Sequence, residues 1–318
     1  MTSTYDISTI MTSKTTSKIV QKILITGANG QLGSELKNLI GMVPECNFMF
    51  TDREQLDLSD LVKMTQLFEK HRFAYCINAA AYTAVDKAEI DIEKATEVNA
   101  IGVANLATLC QQFDTTLLHV STDFVFDGNH ATWYNETDST NPLSVYGKTK
   151  LAGEEAIQKI CTKHIIIRTA WLYSAYGNNF VKTMIHLSNE KPQISVVADQ
   201  TGTPTYARDL AKILLIITQT LYQSQNNTEI RDEISKYYGL YHFSNEGTAS
   251  WYDFAKAIIE FTDSLTPIMP LHTHEYPTPA LRPKFSVLDK THIKKTFGIE
   301  IAHWRESLRK CITELQVK

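Results

Sequence analysis

The sequence predicts an α/β fold: a doubly wound parallel sheet with a smaller α/β lobe. Three observations lead there. Short, β-branched apolar runs alternate with helical patterns from residue 22 to about 170. A glycine-spaced turn joins the first run to the first helix. After Thr169 the alternation gives way to an irregular half in which prolines gather late, at 267, 270, 277, 279 and 283. Strands alternating with helices of ten or more residues imply right-handed crossovers and a sheet covered on both faces.

Each element has its own signal. Residues 22–26 (KILIT) form an apolar run ending in glycine, the pattern of a fully buried parallel strand. Leu32, Leu36, Leu39 and Ile40 mark one helical face over 30–42. Residues 47–51 read as a second strand and 59–70 as a second helix with Ser59 as N-cap. A third strand covers 75–79, a long helix 92–112, a fourth strand 116–120, a helix about 144–160 and a fifth strand 164–168. Beyond them come helices at 207–222 and 250–262, with the polar stretch 224–238 as a loop. The expected division is a flexible extension over 1–19, a dinucleotide-binding domain over 20–170 plus about 205–237, and a substrate-binding domain over about 171–204 plus 238–318.

Composition excludes several classes. With 43% hydrophobic and 21% charged residues the chain is ordinary globular protein, and 318 residues bury a large core without staples. A net charge of −4 provides no basic field for nucleic acid, and no apolar stretch reaches the length of a membrane span. The five cysteines (46, 76, 110, 161 and 311) form no C-x-x-C pair and are read as buried reduced thiols of a cytoplasmic protein. The sequons at Asn135 and Asn226 carry no meaning in that compartment.

Gly27, Gly30 and Gly33 lie between the first strand and the first helix. A dinucleotide site needs a tight turn, close backbone approach to a pyrophosphate and close helix–strand packing, and a residue without Cβ serves all three. The helix start then offers N–H groups and a positive dipole end to the phosphates. This is a Rossmann-type arrangement, although the spacing is G-x-x-G-x-x-G rather than G-x-G-x-x-G. Asp52, 19 residues beyond Gly33, suits an adenosine ribose and favours NAD, whereas the adjacent Arg53 would attract a 2′-phosphate, so NADPH and NADH both stay open. Asp57 is either an adenine-side contact or a helix cap. Residues 147–149 (GKT) mimic the end of a phosphate-binding P-loop, but Pro142 stands where that motif needs glycine.

Tyr146 and Lys150 are four residues apart, hence on one helical face. A free phenol titrates near about 10 and is a poor proton shuttle at neutral pH. A neighbouring ammonium favours phenolate, so Lys150 is expected to lower the Tyr146 pKa and to hold the nicotinamide ribose. Thr122 follows the fourth strand at its C-terminal end, where ligands of open sheets bind, and its hydroxyl suits a carbonyl oxygen gaining charge. Asn78 and the alanines after it end the third strand in the same way. Asn99 is either a buried polar residue or a surface one.

The segments 25–33 (ITGANGQLG), 78–87 (NAAAYTAVDK), 121–128 (STDFVFDG), 145–154 (VYGKTKLAGE), 168–173 (RTAWLY), 177–184 (GNNFVKTM) and 276–283 (YPTPALRP) together resemble the dTDP-4-dehydrorhamnose reductase family of extended short-chain dehydrogenases. The resemblance runs from about residue 21 to the C-terminus. It implies Thr122, Tyr146 and Lys150 as catalytic trio, and Gly30, Gln31 and Leu32 as pyrophosphate turn, beside the Gly27 and Gly33 already read as cofactor-binding from their spacing. It also implies Asp52, Asp57 and Leu58 at the adenosine, and Ala81, Tyr82 and Thr83 along the cofactor. Asp123, Trp171 and Arg282 are the implied dTDP-sugar contacts, the arginine suiting a diphosphate. Family members use NADPH and often NADH; some place Mg²⁺ at a homodimer contact. No metal-ligand spacing supplies such a site here, His272 and His274 being a two-ligand fragment. Phe124 departs from the tyrosine frequent in relatives, removing one hydroxyl near the sugar.

Two rival readings share these residues. One is a sugar-nucleotide epimerase or 4,6-dehydratase, although dehydratases tend to place Asp-Glu after the threonine and this chain has Asp123-Phe124. The other is a non-catalytic regulatory subunit of the methionine adenosyltransferase type, against which an intact Tyr146/Lys150 pair weighs.

Overall fold

The computed structural model describes residues 20–226 and 231–317; the expected extension over 1–19 lies outside them. The first half runs β1 (Gln21–Thr26), α1 (Gln31–Leu39), β2 (Cys46–Thr51), α2 (Leu61–His71), β3 (Tyr75–Asn78), α3 (Val85–Ala88), α4 (Ile92–Thr96), α5 (Gly102–Gln112), β4 (Thr116–Thr122), α6 (Val145–Ile160) and β5 (His164–Thr169). The second runs β6 (Leu172–Tyr173), α7 (Phe180–Glu190), β7 (Ile194–Val197), β8 (Thr201–Gly202), β9 (Thr205–Tyr206), α8 (Ala207–Asn226), β10 (Gly239–His242), β11 (Ala249–Ser250), α9 (Trp251–Phe261), β12 (Ile268–Leu271), α10 (Thr291–Phe297) and α11 (Trp304–Val317).

Six strands form one parallel sheet in the order β10-β5-β4-β3-β1-β2. The alternating side-chain directions of β1 explain why its whole run is apolar. Ile23 and Ile25 meet Leu32 and Leu36 of α1 and Leu210, Leu214 and Ile217 of α8. Leu24 points the other way, to Phe68 of α2, Leu106 and Cys110 of α5 and Ile157 of α6. Each such side chain contributes about 1.5–3 kcal/mol by leaving water. The chain moves from β1 outward to β2, then returns to lay β3 on the other side of β1. That reversal opens a crevice beyond the strands' C-terminal ends.

The second lobe has its own core, with Tyr173, Tyr206, Phe254, Ile258, Trp304 and Leu308 at its centre. Three two-stranded ladders, β6–β9, β7–β12 and β8–β11, brace it. It sits over the crevice because β5 leads straight into it. No helix among the described residues is long and apolar enough to cross a membrane.

Several elements differ from expectation. β10 pairs with β5, so the main sheet extends past the expected boundary at 237. The polar stretch 224–238 is no simple loop: α8 continues to Asn226, and a 3-10 helix spans Arg231–Tyr237. β4 continues to Thr122, since pairing with β5 carries on through Thr169. Asp60, not Ser59, caps α2, accepting the Lys63 N–H at 2.9 Å, because Ser59 is drawn to Asp57. The long helix over 92–112 is interrupted by a π turn at Glu97–Ile101. Cys46 is half-buried; the other four cysteines are buried.

Candidate active site

A cleft of about 1000 Å³ opens along the C-terminal ends of β1 to β5, at the level of the strand-order reversal. The turn after β1 forms its floor. Gly27 has φ +71°, and a Cβ there would stand 2.7 Å from the Ala79 carbonyl group. A Cβ on Gly33 would stand 2.3 Å from the Gly27 oxygen. The turn closes through Gly30 N–H donating to Gly27 O at 3.0 Å. No side chain caps α1 at Gly30, which leaves the dipole end of the helix turned to the cleft where Gln31 and Leu32 line it. A cradle this bare of side chains fits a pyrophosphate. The Gln31 side-chain oxygen Oε1 also accepts from the Asn179 amide at 3.0 Å, tying the turn to the second lobe.

The adenosine-side residues line one end of the same cleft. One Asp52 oxygen accepts from the Asn29 amide at 2.7 Å, the other from the Gln55 N–H at 3.0 Å. Asp57 accepts from both the backbone and the hydroxyl of Ser59, which hold its carboxyl below the usual range, and Arg53 stands 3.5 Å away. The cap role thus explains the Asp57 contacts present, while its place on the wall keeps it near the expected adenine end. Leu58 is buried against Gly102. Ala81, Tyr82 and Thr83 line the middle of the cleft. Asn99, on the π turn, is buried and fastens this loop. It accepts the Tyr82 N–H at 2.8 Å and donates to the Tyr82 carbonyl at 3.1 Å and to Thr149 at 3.2 Å.

Thr122, Asp123, Tyr146 and Lys150 come together on the opposite wall. Ser144 caps α6 by accepting the Gly147 N–H at 3.1 Å, which sets Tyr146 in the first turn and Lys150 one turn later. The Phe124 ring meets the Tyr146 ring edge-on at 5.6 Å and so packs the phenol. Burial pushes the Tyr146 hydroxyl up to about 12; the Thr122 hydroxyl pulls it back and the Asp123 charge raises it. This corrects the expected lowering by Lys150: desolvation outweighs any gain from the ammonium. Lys150 itself is 1% exposed, and burial brings it down to about 8 against the upward pull of Glu154. Its Nζ donates to the Val120 carbonyl at 2.7 Å.

Asp123 is 2% exposed, and burial raises its carboxyl to about 6 despite hydrogen bonds from Ser286 and Thr122. Its Oδ2 has no partner among the described residues. A buried acceptor with nothing to accept costs about 1–3 kcal/mol, so its place on the cleft wall suits a ligand hydroxyl.

The second lobe closes the far side. Trp171, held at φ 46°, stacks on Trp251 with centroids 3.6 Å apart and planes within 9°. Arg282 reaches into the same space but is engaged by Asp86, Thr278 and the Ala280 carbonyl. Among the described residues no group of three or more His, Cys, Asp or Glu side chains could hold a metal ion, and Mg²⁺ has no support here. His272 and His274 merely stack, with ring centroids 5.6 Å apart.

Sequence reading missed four residues of this wall. His119 is fully buried against Lys150 at 3.2 Å. Glu154 and Arg168 form a buried ion pair at 2.7 Å below them, with Ser121 also donating to Glu154. Trp251 completes the aromatic stack. The available signal was a polar residue inside an otherwise apolar strand: His119 within 116–120 and Arg168 at the end of 164–168.

The model of the RmlD substrate binding domain family matches residues 21–317. A dTDP-4-dehydrorhamnose reductase of Aggregatibacter actinomycetemcomitans is 40% identical over 294 residues, covering 91% of this chain and 97% of that protein. Among solved structures, a dTDP-4-dehydrorhamnose reductase of Clostridium acetobutylicum is 41% identical with a TM-score of 0.84, covering 93% of this chain and 100% of the other. The same TM-score and coverage hold, at 36% identity, for a dTDP-4-dehydrorhamnose reductase of Bacillus anthracis solved in complex with NADP.

Proposed function

This chain belongs to the RmlD substrate binding domain family, the family of the dTDP-4-dehydrorhamnose reductases, and is an NAD(P)H-dependent oxidoreductase; from that premise we propose that it reduces the C4 keto group of dTDP-4-dehydro-L-rhamnose to give dTDP-L-rhamnose. One observation carries the reading. The glycine turn that fits a pyrophosphate and the Thr122–Tyr146–Lys150 group line one cleft, at the strand ends where open α/β sheets bind ligands.

Gly27, Gly30, Gln31, Leu32 and Gly33 would hold the cofactor pyrophosphate, Asp52, Asp57 and Leu58 its adenosine, and Ala81, Tyr82, Thr83 and Lys150 its nicotinamide half. The bound nicotinamide supplies hydride to C4. Tyr146, a neutral phenol across the physiological range, gives its proton to the C4 oxygen. The Thr122 hydroxyl, with its one proton, turns from Asp123 to hold that oxygen, leaving a phenolate at Tyr146. Lys150 Nζ, fixed by Val120 O, adds positive charge beside it. Asp123 takes a sugar hydroxyl, Trp171 packs on the sugar nucleotide and Arg282 pairs with its diphosphate. The reaction is cytoplasmic chemistry on a small dTDP-sugar.

NADPH and NADH consumption with enzymatically made dTDP-4-dehydro-L-rhamnose, against UDP- and GDP-sugar controls, tests this. Turnover should be confined to the dTDP substrate. Tyr146→Phe should lose about 10²–10⁴-fold in kcat while still binding NADPH. Full turnover by that variant removes Tyr146 from the mechanism. Protein that purifies with NAD held throughout the cycle, without net NADPH oxidation, would point to an epimerase or dehydratase.

A further inference from the structure

Lys150 is anchored from below by a short relay of buried side chains that the reaction scheme does not use. Thr26 donates to Asn78 Oδ1 at 2.6 Å, and the Ala80 N–H donates to the same oxygen at 3.2 Å. A backbone N–H can only donate, so it fixes which end of the Asn78 amide is oxygen. The amide nitrogen then faces His119 Nδ1 at 2.9 Å. That nitrogen also only donates, so Nδ1 must be bare and accepting. The single proton of the neutral ring is therefore on Nε2, which stands 3.2 Å from Lys150 Nζ. Burial and the Lys150 charge together hold the ring well below the usual histidine range, so it stays neutral.

An N–H aimed at an ammonium is repelled; aimed at an amine it meets a lone pair. The amine form satisfies every contact: Nζ donates to Val120 O at 2.7 Å and accepts from His119 Nε2–H. We propose that His119 is a positioning residue that acts through Lys150: the Nε2–H imposed by Asn78 stands against Nζ and disfavours the ammonium that supports the Tyr146 phenolate. The proposal rests on the reading that places Lys150 in the reaction centre. The titratable groups that act on Lys150 are His119 of β4, at 3.2 Å, and Glu154 of its own helix, itself paired with Arg168 of β5; Tyr146 and Asp123 line the same cleft. Burial favours the amine and Glu154 the ammonium, and the balance brings Lys150 down to about 8. The lysine charge that supports the Tyr146 phenolate is thereby lost as pH rises just above neutral, and activity should fall on that limb.

Two measurements test this on the full chain. Imidazole ¹⁵N spectra of histidine-labelled protein, with the His119 signals identified by their loss in His119→Phe and in His119→Gln, should show a neutral ring protonated at Nε2. A proton on Nδ1, or a charged ring at neutral pH, overturns the proposal whatever the enzyme's substrate, because this reading needs no turnover. Asn78→Asp places an acceptor opposite Nδ1. It should flip the ring to the Nδ1–H tautomer and move the basic limb of kcat upward by about one pH unit. A uniform loss of kcat with the limb unmoved means that the relay is structural only, and a limb shift without the tautomer flip means that the added charge alone acts. Either result overturns the proposal.

Discussion

Arg282 grips Asp86 with both prongs of its guanidinium, Nη1 at 3.0 Å from Oδ1 and Nη2 at 2.7 Å from Oδ2, joining the segment between β12 and α10 to the short helix α3. The pair bridges the cleft mouth, and the guanidinium holds the Asp86 carboxyl below the usual range. Arg282→Lys keeps the charge but loses the fork. With the substrate diphosphate in that space, KM for the dTDP-sugar should rise about tenfold or more with kcat little changed, the loss of one or two charge-assisted hydrogen bonds. Steady-state kinetics at saturating NADPH reads this directly; an unchanged KM would take Arg282 out of substrate binding.

Asp123 should leave its mark on stability rather than only on turnover. Its folded pKa of about 6 lies above the ordinary value of about 3.9, so the native state binds the extra proton between those values. Stability from this group is therefore full below about pH 4 and is lost as pH rises through 6, by roughly 2–3 kcal/mol. Asp123→Asn removes the dependence. Its Tm should exceed that of the parent at pH 7.5 and match or fall below it at pH 4, while activity drops. Equal Tm gains at both pH values would contradict a raised Asp123.

Glu154 and Arg168 form a buried pair, 1% and 4% exposed by side chain, beneath Lys150. Glu154→Gln leaves the guanidinium charge uncompensated, a loss of about 3–5 kcal/mol for a buried pair. Urea unfolding should show a lower midpoint at unchanged slope. Because Glu154 also favours the Lys150 ammonium, the basic limb of activity should move to lower pH.

Asp52 offers the cleft a carboxylate, Arg53 an exposed cation paired with the half-buried Asp57 at 3.5 Å. A carboxylate accepts from a ribose 2′-hydroxyl and repels a 2′-phosphate. Asp52→Ala should therefore shift the ratio of kcat/KM for NADPH over NADH toward NADPH by about tenfold, the equivalent of about 1.4 kcal/mol. A ratio that stays put would leave Arg53 without influence as well.

Much of this was legible locally. The apolar run of β1, the glycines at 27, 30 and 33 and the four-residue spacing of Tyr146 and Lys150 depend on neighbours in the chain, because strand and helix periods and the room for a Cβ are short-range properties. The strand Gly239–His242 was not legible, since its four residues earn their place only by pairing with β5, 74 positions earlier at Gly239↔Ile165. Nor was the cap of α2, which turned on whether Ser59 or Asp60 was free to accept.

The sequence by itself determined the parallel α/β architecture, the glycine turn after β1 and which side chains are candidates to react. Only the tertiary structure decided their proton states. Burial raised Tyr146 and Asp123 and lowered Lys150, and the Asn78 amide, 41 residues from His119, chose which imidazole nitrogen faces the lysine. Spacing along a helix shows that two groups share a face. The free energy of a charge depends on how much water is removed around it and which dipoles replace that water, and those come from strands far apart in the chain.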